Sequence, residues 1–239
     1  MMYAHDNDAR TAILTGASAG LGRALARRLA ADGWRLVIDG RRPAPLAAVR
    51  DELAEHTTVI AIAGDVADAA HRASLVAAAG DRVDLLINNA SELGASPLPP
   101  LREIAAAVLD RLWSVNVIAP VALIQAVLPR LGSGAAVINI SSDAAVEHYP
   151  TWGGYGASKA ALDHVTLTLA VEQPTYRFYA VDPGDMRTAM HQAAFPGEDI
   201  SDRPDPADVA PRLAGLAGSD LPSGRYRAAD LPVLEGSHR

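Results

Sequence analysis

Short apolar runs alternate with longer stretches rich in Ala and Leu along most of the chain. Six runs rich in β-branched and apolar residues predict strands: residues 11–15, 35–39, 58–63, 83–88, 135–141 and 176–181. Five Ala/Leu-rich stretches predict helices: residues 20–31, 45–55, 69–79, 103–131 and 154–172. The strands are apolar almost throughout, as expected when helices cover both faces of a sheet. The alternation predicts an α/β fold with a doubly wound, mostly parallel sheet and helices on both faces.

Proline and glycine refine this pattern. Pro120 lies inside the long helical stretch and predicts a kink or break there, because proline cannot donate the helical hydrogen bond. Residues 196–206 are rich in Pro, Gly and Asp and predict a mobile surface segment, and residues 225–227 predict one more short strand. No internal repeat or low-complexity linker divides the chain, so we expect a single domain over residues 1–239.

Composition narrows the class of protein. The chain has 239 residues, 49% hydrophobic and 21% charged, which is typical of a globular protein that needs no disulfide or metal to fold, and we predict no metal site. The absence of cysteine excludes disulfides, thiolate metal sites and thiol catalysis, and it favours a cytoplasmic location. A net charge of −7 without a basic stripe argues against nucleic-acid binding. We expect no membrane span, because Asn116, Pro120 and Gln125 interrupt the most apolar stretch.

The first predicted strand and helix are joined by the sequence Thr-Gly-Ala-Ser-Ala-Gly-Leu-Gly at residues 15–22. Glycines allow a sharp turn from strand to helix and a close approach of the backbone to a pyrophosphate. Free N–H groups at the start of the following helix favour an anion there. This context predicts a dinucleotide site, with a tight turn that binds no ligand as the alternative. The predicted contacts are Gly16, Ser18, Ala19, Gly20, Leu21 and Gly22.

A second motif, Tyr-Gly-Ala-Ser-Lys, lies at residues 155–159 on a predicted helix. Tyr155 and Lys159 are four residues apart and therefore share one face of that helix. A nearby ammonium favours the phenolate, so we expect Lys159 to lower the pKa of Tyr155 and to make it a usable acid or base. Taken alone, such a pair is more often a surface pair, but in this chain it follows the glycine loop.

With its Gly-x-x-x-Gly-x-Gly loop and its Tyr-x-Ala-Ser-Lys string, the chain resembles the compact, single-domain branch of the short-chain dehydrogenase/reductase family over residues 12–226. The resemblance implies a Rossmann-type fold and an NAD(P)-dependent oxidoreductase that transfers hydride between the cofactor and a small-molecule carbonyl or alcohol substrate. It implies four catalytic residues, Asn116, Ser142, Tyr155 and Lys159. Ser142 would hold the substrate oxygen, with Ser141 as the alternative. Asn116 would help to hold a water of the proton relay, with a purely structural role as the alternative.

The same resemblance implies cofactor contacts beyond the glycine loop. Asp65 and Val66 resemble the pair that contacts adenine, and the segment after the sixth strand resembles the one that contacts the nicotinamide carboxamide. The full set is Arg41, Asp65, Val66, Asn89, Ala90, Tyr155, Lys159, Pro183, Gly184, Met186 and Thr188. Ser91 stands where the family usually has Gly, which adds a side chain beside the cofactor. For Asn88 we expect hydrogen bonding at the strand end.

The residues that follow the second strand favour NADP, with NAD as the alternative. Counted from Gly16, NAD-preferring relatives carry an acid where this chain has Gly40. Asp39 is one residue too early, so its side chain should point to the other side of the strand. Arg41 matches the basic residue of NADP-preferring relatives, and its guanidinium can bind a 2′-phosphate bidentately. Arg42 is a candidate second contact, whereas Ala19 lacks the second basic residue of many such relatives, so we expect a modest preference.

The resemblance also implies a substrate pocket, with residues 186–206 as its lid. The expected pocket residues are Asp143, Val146, His148, Trp152, Met186, Met190 and His191. Apolar residues on more than one face of the helices at 103–131 and 154–172 predict a homodimer or homotetramer. The alternatives are a cofactor-sensing module, an extended-family epimerase or dehydratase, and a cofactor-free dehalogenase relative. The complete catalytic set, the chain length and the intact glycine loop, respectively, count against them.

Overall fold

The computed structural model describes residues 9–233, and within this range seven strands form one parallel sheet. The strands are β1 (Thr11–Leu14), β2 (Arg35–Gly40), β3 (Val59–Ala63), β4 (Val83–Asn88), β5 (Leu131–Ile140), β6 (Arg177–Asp182) and β7 (Gly224–Arg227). Their order across the sheet is β3-β2-β1-β4-β5-β6-β7, and all neighbours are parallel. This is the predicted Rossmann-type, doubly wound arrangement, and the direction of winding reverses between β1 and β4.

Eight α-helices flank the sheet in the described part of the chain. They are α1 (Gly20–Ala31), α2 (Pro43–Leu53), α3 (Ala69–Ala79), α4 (Ala106–Trp113), α5 (Ala119–Val127), α6 (Gly153–Glu172), α7 (Ala189–Ala194) and α8 (Pro206–Gly215). Helices α7 and α8 were not predicted from the sequence. Their amino ends are nevertheless capped locally, because the side chains of Thr188 and Asp205 accept hydrogen bonds from His191 N–H and Ala207 N–H.

Helices cover both faces of the sheet, as the apolar strands predict. In β1, Ala12 and Leu14 join the core beneath α1, α2 and α8. The residue between them, Ile13, joins the core on the opposite face, beneath α3, α5 and α6. Strands β2, β4 and β5 alternate in the same way, since successive side chains of a strand point to opposite faces. The sheet is thus buried on both sides, and the carboxyl ends of its strands remain open for a site.

The long helical stretch is irregular before Pro120 and is not broken at it. Between α4 and α5 the chain forms a π turn, Ser114–Ile118, in which Ala119 N–H donates to the Ser114 carbonyl. Proline has no N–H for the carbonyl four residues earlier, that of Asn116, so the helical pattern is disturbed in the turn that precedes it. The predicted irregularity is therefore present, but it is centred on Asn116.

One helical run among residues 9–233, Ala106–Arg130, is long and apolar enough to cross a membrane by length and composition alone. Half of its most apolar window is buried inside the protein. Leu123, Ile124 and Val127 belong to the core beneath the sheet, so packing accounts for its apolar character. This run contains the stretch that Asn116, Pro120 and Gln125 interrupt, and the absence of a membrane span stays a prediction.

The starts of β5 and α2 differ from the sequence expectation. Strand β5 begins at Leu131, where Leu131 pairs with Val83 ahead of a shift in register, and two nearby glycines weaken its strand signal. Helix α2 begins two residues earlier than expected, at Pro43. Residues 196–205 contain only short turns and lie mostly at the surface, as expected, and Pro206 begins α8.

Candidate active site

A cleft opens at the carboxyl ends of the strands, where the direction of winding reverses. It holds about 1440 Å³ of empty space, counting its open mouth. Of the predicted catalytic and cofactor residues, all but Asn116 line this cleft: Gly16, Ser18, Ala19, Gly20, Leu21, Gly22, Arg41, Asp65, Val66, Asn89, Ala90, Ser142, Tyr155, Lys159, Pro183, Gly184, Met186 and Thr188. Residues that lie far apart in the sequence thus meet in one place.

The glycine loop is shaped so that its backbone borders the cleft. Gly16 has a φ of 70°, and a Cβ atom there would lie 2.9 Å from the Cα atom of Ala90. A Cβ atom on Gly22 would lie 2.2 Å from the carbonyl oxygen of Gly16. Ala19, the N-cap residue of α1, has no side-chain oxygen to satisfy the first N–H groups of that helix. These N–H groups and the positive end of the helix dipole fit a diphosphate.

Asp39 supports the glycine loop from below. One carboxylate oxygen accepts a hydrogen bond of 2.6 Å from Gly16 N–H, and the other lies 3.0 Å from Nε2 of His71. Asp39 is only 1% exposed. Its side chain points toward His71 on α3, on the opposite side of β2 from Gly40, as the alternation of side chains along a strand predicts. Its carboxylate is therefore already bound by the glycine loop and His71.

Four charged side chains form a connected group on the cleft wall. The guanidinium of Arg41, whose side chain is 61% exposed, contacts the carboxylate of Glu92. Arg111 on α4 binds Glu92 through hydrogen bonds of 3.0 and 2.6 Å and lies 2.8 Å from Asp65. Burial acts to raise the pKa of Asp65, but the N–H of Ala67 and the charge of Arg111 outweigh it and hold that pKa below its usual value. Two of the predicted cofactor contacts, Arg41 and Asp65, thus belong to this charge group.

Tyr155 and Lys159 are both buried on α6, and Nζ of Lys159 lies 5.6 Å from the centre of the Tyr155 ring. Burial raises the pKa of the Tyr155 phenol, while hydrogen bonds to Ser91 and Ser142 act in the opposite direction. The predicted lowering of this pKa by Lys159 is therefore not found in the protein alone, because desolvation of the phenolate dominates.

The Lys159 ammonium is directed at the sheet. It donates a hydrogen bond of 2.8 Å to the carbonyl oxygen of Ile140, at the end of β5. Burial lowers the pKa of Lys159 to about 8, against the opposing charge of Asp163. An ammonium has three donors, so Lys159 keeps hydrogen-bonding capacity beyond the one bond to the strand.

Asn116 lies behind the cleft and is fully buried in the π turn. Its side-chain oxygen accepts hydrogen bonds from Glu92 N–H at 2.9 Å and from the Ser91 hydroxyl at 3.2 Å. Its amide nitrogen donates to the Glu92 carbonyl at 2.9 Å and to the Ser158 hydroxyl at 3.0 Å. Ser158 in turn donates to the carbonyl of Tyr155 at 2.6 Å. Asn116 thus ties the segment after β4 to the helix that carries Tyr155.

Ser142 is the second residue after β5 and lies within hydrogen-bonding reach of the Tyr155 phenol. Its hydroxyl donates a hydrogen bond of 2.9 Å to Asp143, whose other oxygen accepts one of 2.9 Å from Tyr149. The hydroxyl of Ser141 is buried and has no hydrogen-bond partner among residues 9–233. This arrangement favours Ser142 over Ser141 as the hydroxyl that acts beside Tyr155.

Aromatic rings surround the outer end of the cleft. The Trp152 ring lies 5.7 Å from that of Tyr155 and 5.7 Å from that of Phe195, and His191 lies 4.8 Å from Phe195. Five of the expected pocket residues line the cleft: Asp143, Trp152, Met186, Met190 and His191. The placement of Val146 and His148 in the pocket was wrong, because the turn after Asp143 carries both to the exposed surface.

Other residues of the site were not found from the sequence. Glu92 directly follows the Asn-Asn-Ala-Ser string, and this position was its only signal. Arg111 and His71 reach the site from helices without any local motif, so only the tertiary fold reveals them. Asn88 has the expected structural role, since it donates to Asn139 at 2.8 Å between β4 and β5.

The chain is similar in sequence and in structure to short chain dehydrogenases. A family model described as short chain dehydrogenase matches residues 10–199. Sulfoacetaldehyde reductase 2 of Chromohalobacter salexigens is 32% identical over 229 residues, covering 92% of this chain and 88% of that protein. A short chain dehydrogenase from Shigella flexneri complexed with NADP has a TM-score of 0.85 at 30% identity, covering 92% of this chain and 97% of that chain. One from Escherichia coli complexed with NADPH has a TM-score of 0.81 at 30% identity, covering 92% and 96%.

Proposed function

The chain belongs to the short-chain dehydrogenase/reductase family of oxidoreductases, and we propose that it transfers hydride between a nicotinamide cofactor and a carbonyl or alcohol substrate, with Tyr155 as general acid or base. The observation that carries this proposal is the convergence of Ser142, Tyr155 and Lys159 on the cleft that the glycine loop borders. The cofactor supplies or accepts the hydride, while the protein orients the reactants and moves the proton.

We propose NADP as the cofactor, with NAD as the alternative. A Cβ atom on Gly40 would lie 3.0 Å from the Ser18 side chain, so an acid at this position would crowd the glycine loop. Asp39 is engaged with Gly16 and His71, whereas Arg41 lies at the cleft and can bind a 2′-phosphate bidentately. The NADP and NADPH complexes of the relatives from Shigella flexneri and Escherichia coli favour the same choice.

The proton is handled by Tyr155. In carbonyl reduction its hydroxyl donates a proton to the substrate oxygen as negative charge develops there, and in alcohol oxidation the phenolate removes that proton. Ser142 donates a second hydrogen bond to the same oxygen and stabilises its charge. Because the Ser142 proton now lies on its hydrogen bond to Asp143, the substrate oxygen competes with this carboxylate for the proton.

In this scheme Lys159 binds the cofactor and helps to orient it. Its ammonium is anchored to the Ile140 carbonyl and has further donors for a cofactor hydroxyl. With a pKa of about 8, it is mostly charged at neutral pH and becomes neutral in moderately alkaline solution. Loss of that charge would weaken both cofactor binding and any stabilisation of the phenolate.

The outer cleft suits a mid-sized organic carbonyl compound, with residues 186–206 as its lid. Trp152, Met186 and Met190 provide an apolar wall next to the polar groups around Tyr155. Helix α7 is held near this wall by the contact between Trp152 and Phe195. Closure of this segment would exclude water from the reacting atoms.

We further propose a homodimer or homotetramer in the cytoplasm, with no nucleic-acid or membrane partner. Exposed apolar side chains support an interface on the helices that follow β4 and β5. They are Trp113, Ile118, Leu167 and Val171. A second copy of the chain would remove this apolar surface from water.

The test of the reaction is a panel of aldehydes, ketones and alcohols, each supplied with NADPH or NADP and separately with NADH or NAD. The change in absorbance of the reduced nicotinamide reports turnover. We expect substrate-dependent turnover, faster with the phosphorylated cofactor. Cofactor binding without turnover of any panel compound would instead support a cofactor-sensing module.

A further inference from the structure

Ser91 brings a hydroxyl group to the floor of the cleft between Asn116 and Tyr155. It donates a hydrogen bond of 3.2 Å to the side-chain oxygen of Asn116 and is within hydrogen-bonding reach of the Tyr155 phenol. Its backbone is outside the left-handed region, so this position does not require glycine and tolerates substitution. The backbone conformation at this position therefore fits either serine or glycine, and serine adds a hydroxyl group to the site.

The Ser91 hydroxyl can turn away from Asn116 without leaving a buried acceptor unsatisfied. The Asn116 oxygen also accepts the shorter bond, 2.9 Å, from Glu92 N–H. Bonds from the Asn116 amide nitrogen to Glu92 and Ser158 keep the side chain fixed when Ser91 turns. A hydroxyl proton rotates to the better acceptor, and a phenolate is a stronger acceptor than a neutral amide that is already bonded.

Ser142, the other hydroxyl beside Tyr155, is less free to turn. Its proton lies on a charge-assisted hydrogen bond to the carboxylate of Asp143. Turning Ser142 toward the phenolate breaks this bond, whereas turning Ser91 removes one of two bonds to a neutral amide. Ser91 is therefore the hydroxyl that more readily gives its proton to a hydrogen bond with the Tyr155 oxygen.

The charged groups around Tyr155 do not take the place of the Ser91 hydroxyl as a hydrogen-bond donor to the phenol oxygen. These titratable groups are Lys159 and Asp163 on α6, Asp143 after β5, Asp182 at the end of β6, and Asp185 and His191 in the segment that follows. Lys159 donates to the Ile140 carbonyl. The charges of Asp143 and Asp182 disfavour a phenolate. A neutral donor next to the phenol oxygen offsets part of that repulsion.

We propose that Ser91 is a further catalytic residue of the reaction proposed above, on which this inference rests: its hydroxyl turns from Asn116 and donates a hydrogen bond to the Tyr155 oxygen whenever that oxygen carries negative charge. In oxidation it stabilises the base that removes the alcohol proton. In reduction it stabilises the phenolate that remains after Tyr155 has given its proton to the substrate oxygen. Ser91 keeps its own proton throughout, and no bond to it forms or breaks.

The test compares wild type with Ser91→Ala and Ser91→Gly, which remove the hydroxyl, and with Ser91→Thr, which keeps it. The value of kcat/KM for alcohol oxidation is measured against pH, because in this direction the rate rises as Tyr155 ionises. Loss of a hydrogen bond to a charged group should move this rise to higher pH by about one to two units in the first two variants. Ser91→Thr should stay close to wild type. Superimposable profiles in all four proteins would overturn the proposal.

A second measurement needs no substrate and so separates this inference from the proposed reaction. Tyrosine ionisation is followed by ultraviolet absorbance in the NADP-bound protein, and the titration of the same protein carrying Tyr155→Phe is subtracted from each titration. Ser91→Ala should raise the midpoint of the Tyr155 step. Equal midpoints, or a wild type without such a step, would overturn the role of Ser91 even in an active enzyme. Different midpoints without turnover of any compound would overturn the reaction and leave the Ser91 hydrogen bond supported.

Discussion

The hydroxyl of Ser142 donates a hydrogen bond of 2.9 Å to the carboxylate of Asp143, the next residue in the chain. Burial raises the pKa of Tyr155, and the negative charge of Asp143 adds to that effect. The hydroxyl proposed to bind the substrate oxygen and the phenol proposed to move its proton are thus coupled to one carboxylate. The sequence assigned Asp143 only to the wall of the pocket.

Replacing Asp143 with Asn tests this coupling, since the substitution removes the charge and keeps the shape. In alcohol oxidation the rate rises with pH through the ionisation of Tyr155. Removing a charge that raises the pKa of Tyr155 should move this rise to lower pH, by up to about one unit. The shift is opposite in sign to that expected for Ser91→Ala. Asp51→Asn, at an exposed pair with Arg50 on α2, is the control that should leave the profile unchanged. A shift of Asp143→Asn to higher pH would contradict the coupling.

Asp39 should matter for stability because its carboxylate is buried between Gly16 N–H and His71. Asp39→Ala leaves a buried donor and a buried imidazole without their partner, and should lower the free energy of unfolding by about 3 kcal/mol. Asp51→Ala, at an exposed pair with Arg50, should cost less than about 1 kcal/mol. Urea titration of both variants measures the difference. Equal losses would show that the buried pair has no special role.

The sequence predicted those strands well in which nearly every residue is both apolar and buried. Strands β1, β2, β4 and β6 were predicted within one or two residues because both faces are buried and the residues are apolar. Helices α7 and α8 were missed because they are short and flank the segment rich in Pro, Gly and Asp at residues 196–206, although Asp205 followed by Pro206 is a recognisable helix start. Their positions are set by tertiary contacts, such as that between Trp152 and Phe195.

The site was predictable only as far as its residues form short motifs. The glycine loop and the Tyr155 motif both lie on the cleft that their spacing implied. The pKa of Tyr155 was not predictable, because it depends on burial and on carboxylates from other strands. Nor was the contact of Arg41 with Glu92, since these residues are 51 positions apart in the sequence.

Exposed apolar residues on two helices predict self-association. Val171 is 82% exposed on α6, and Leu167 lies one turn before it. Val171→Glu should weaken an interface that buries this face, while Glu172→Gln serves as a neighbouring control. Light scattering at micromolar concentration should give a dimer or tetramer for wild type and a smaller mass for Val171→Glu. A monomeric wild type would contradict the predicted assembly.

Arg41 should decide the choice of cofactor. Removing its guanidinium in Arg41→Ala should lower kcat/KM with NADPH by about 10- to 100-fold, because a hydrogen bond to a charged phosphate is lost, and should change the value with NADH far less. Arg42→Ala is the matched control and should have a smaller effect. A wild type that prefers NADH, or equal losses with both cofactors in Arg41→Ala, would rule out this assignment.

The most direct measurement is the rate of NADPH oxidation with a carbonyl substrate by wild type and by Tyr155→Phe, together with the NADPH affinity of both proteins. Phenylalanine keeps the ring beside Trp152 and removes only the hydroxyl. We predict that turnover falls by at least about 100-fold, as expected when a general acid is lost, while the Kd for NADPH stays within about twofold of wild type. Turnover of Tyr155→Phe close to that of wild type would contradict the role of Tyr155 as the proton donor.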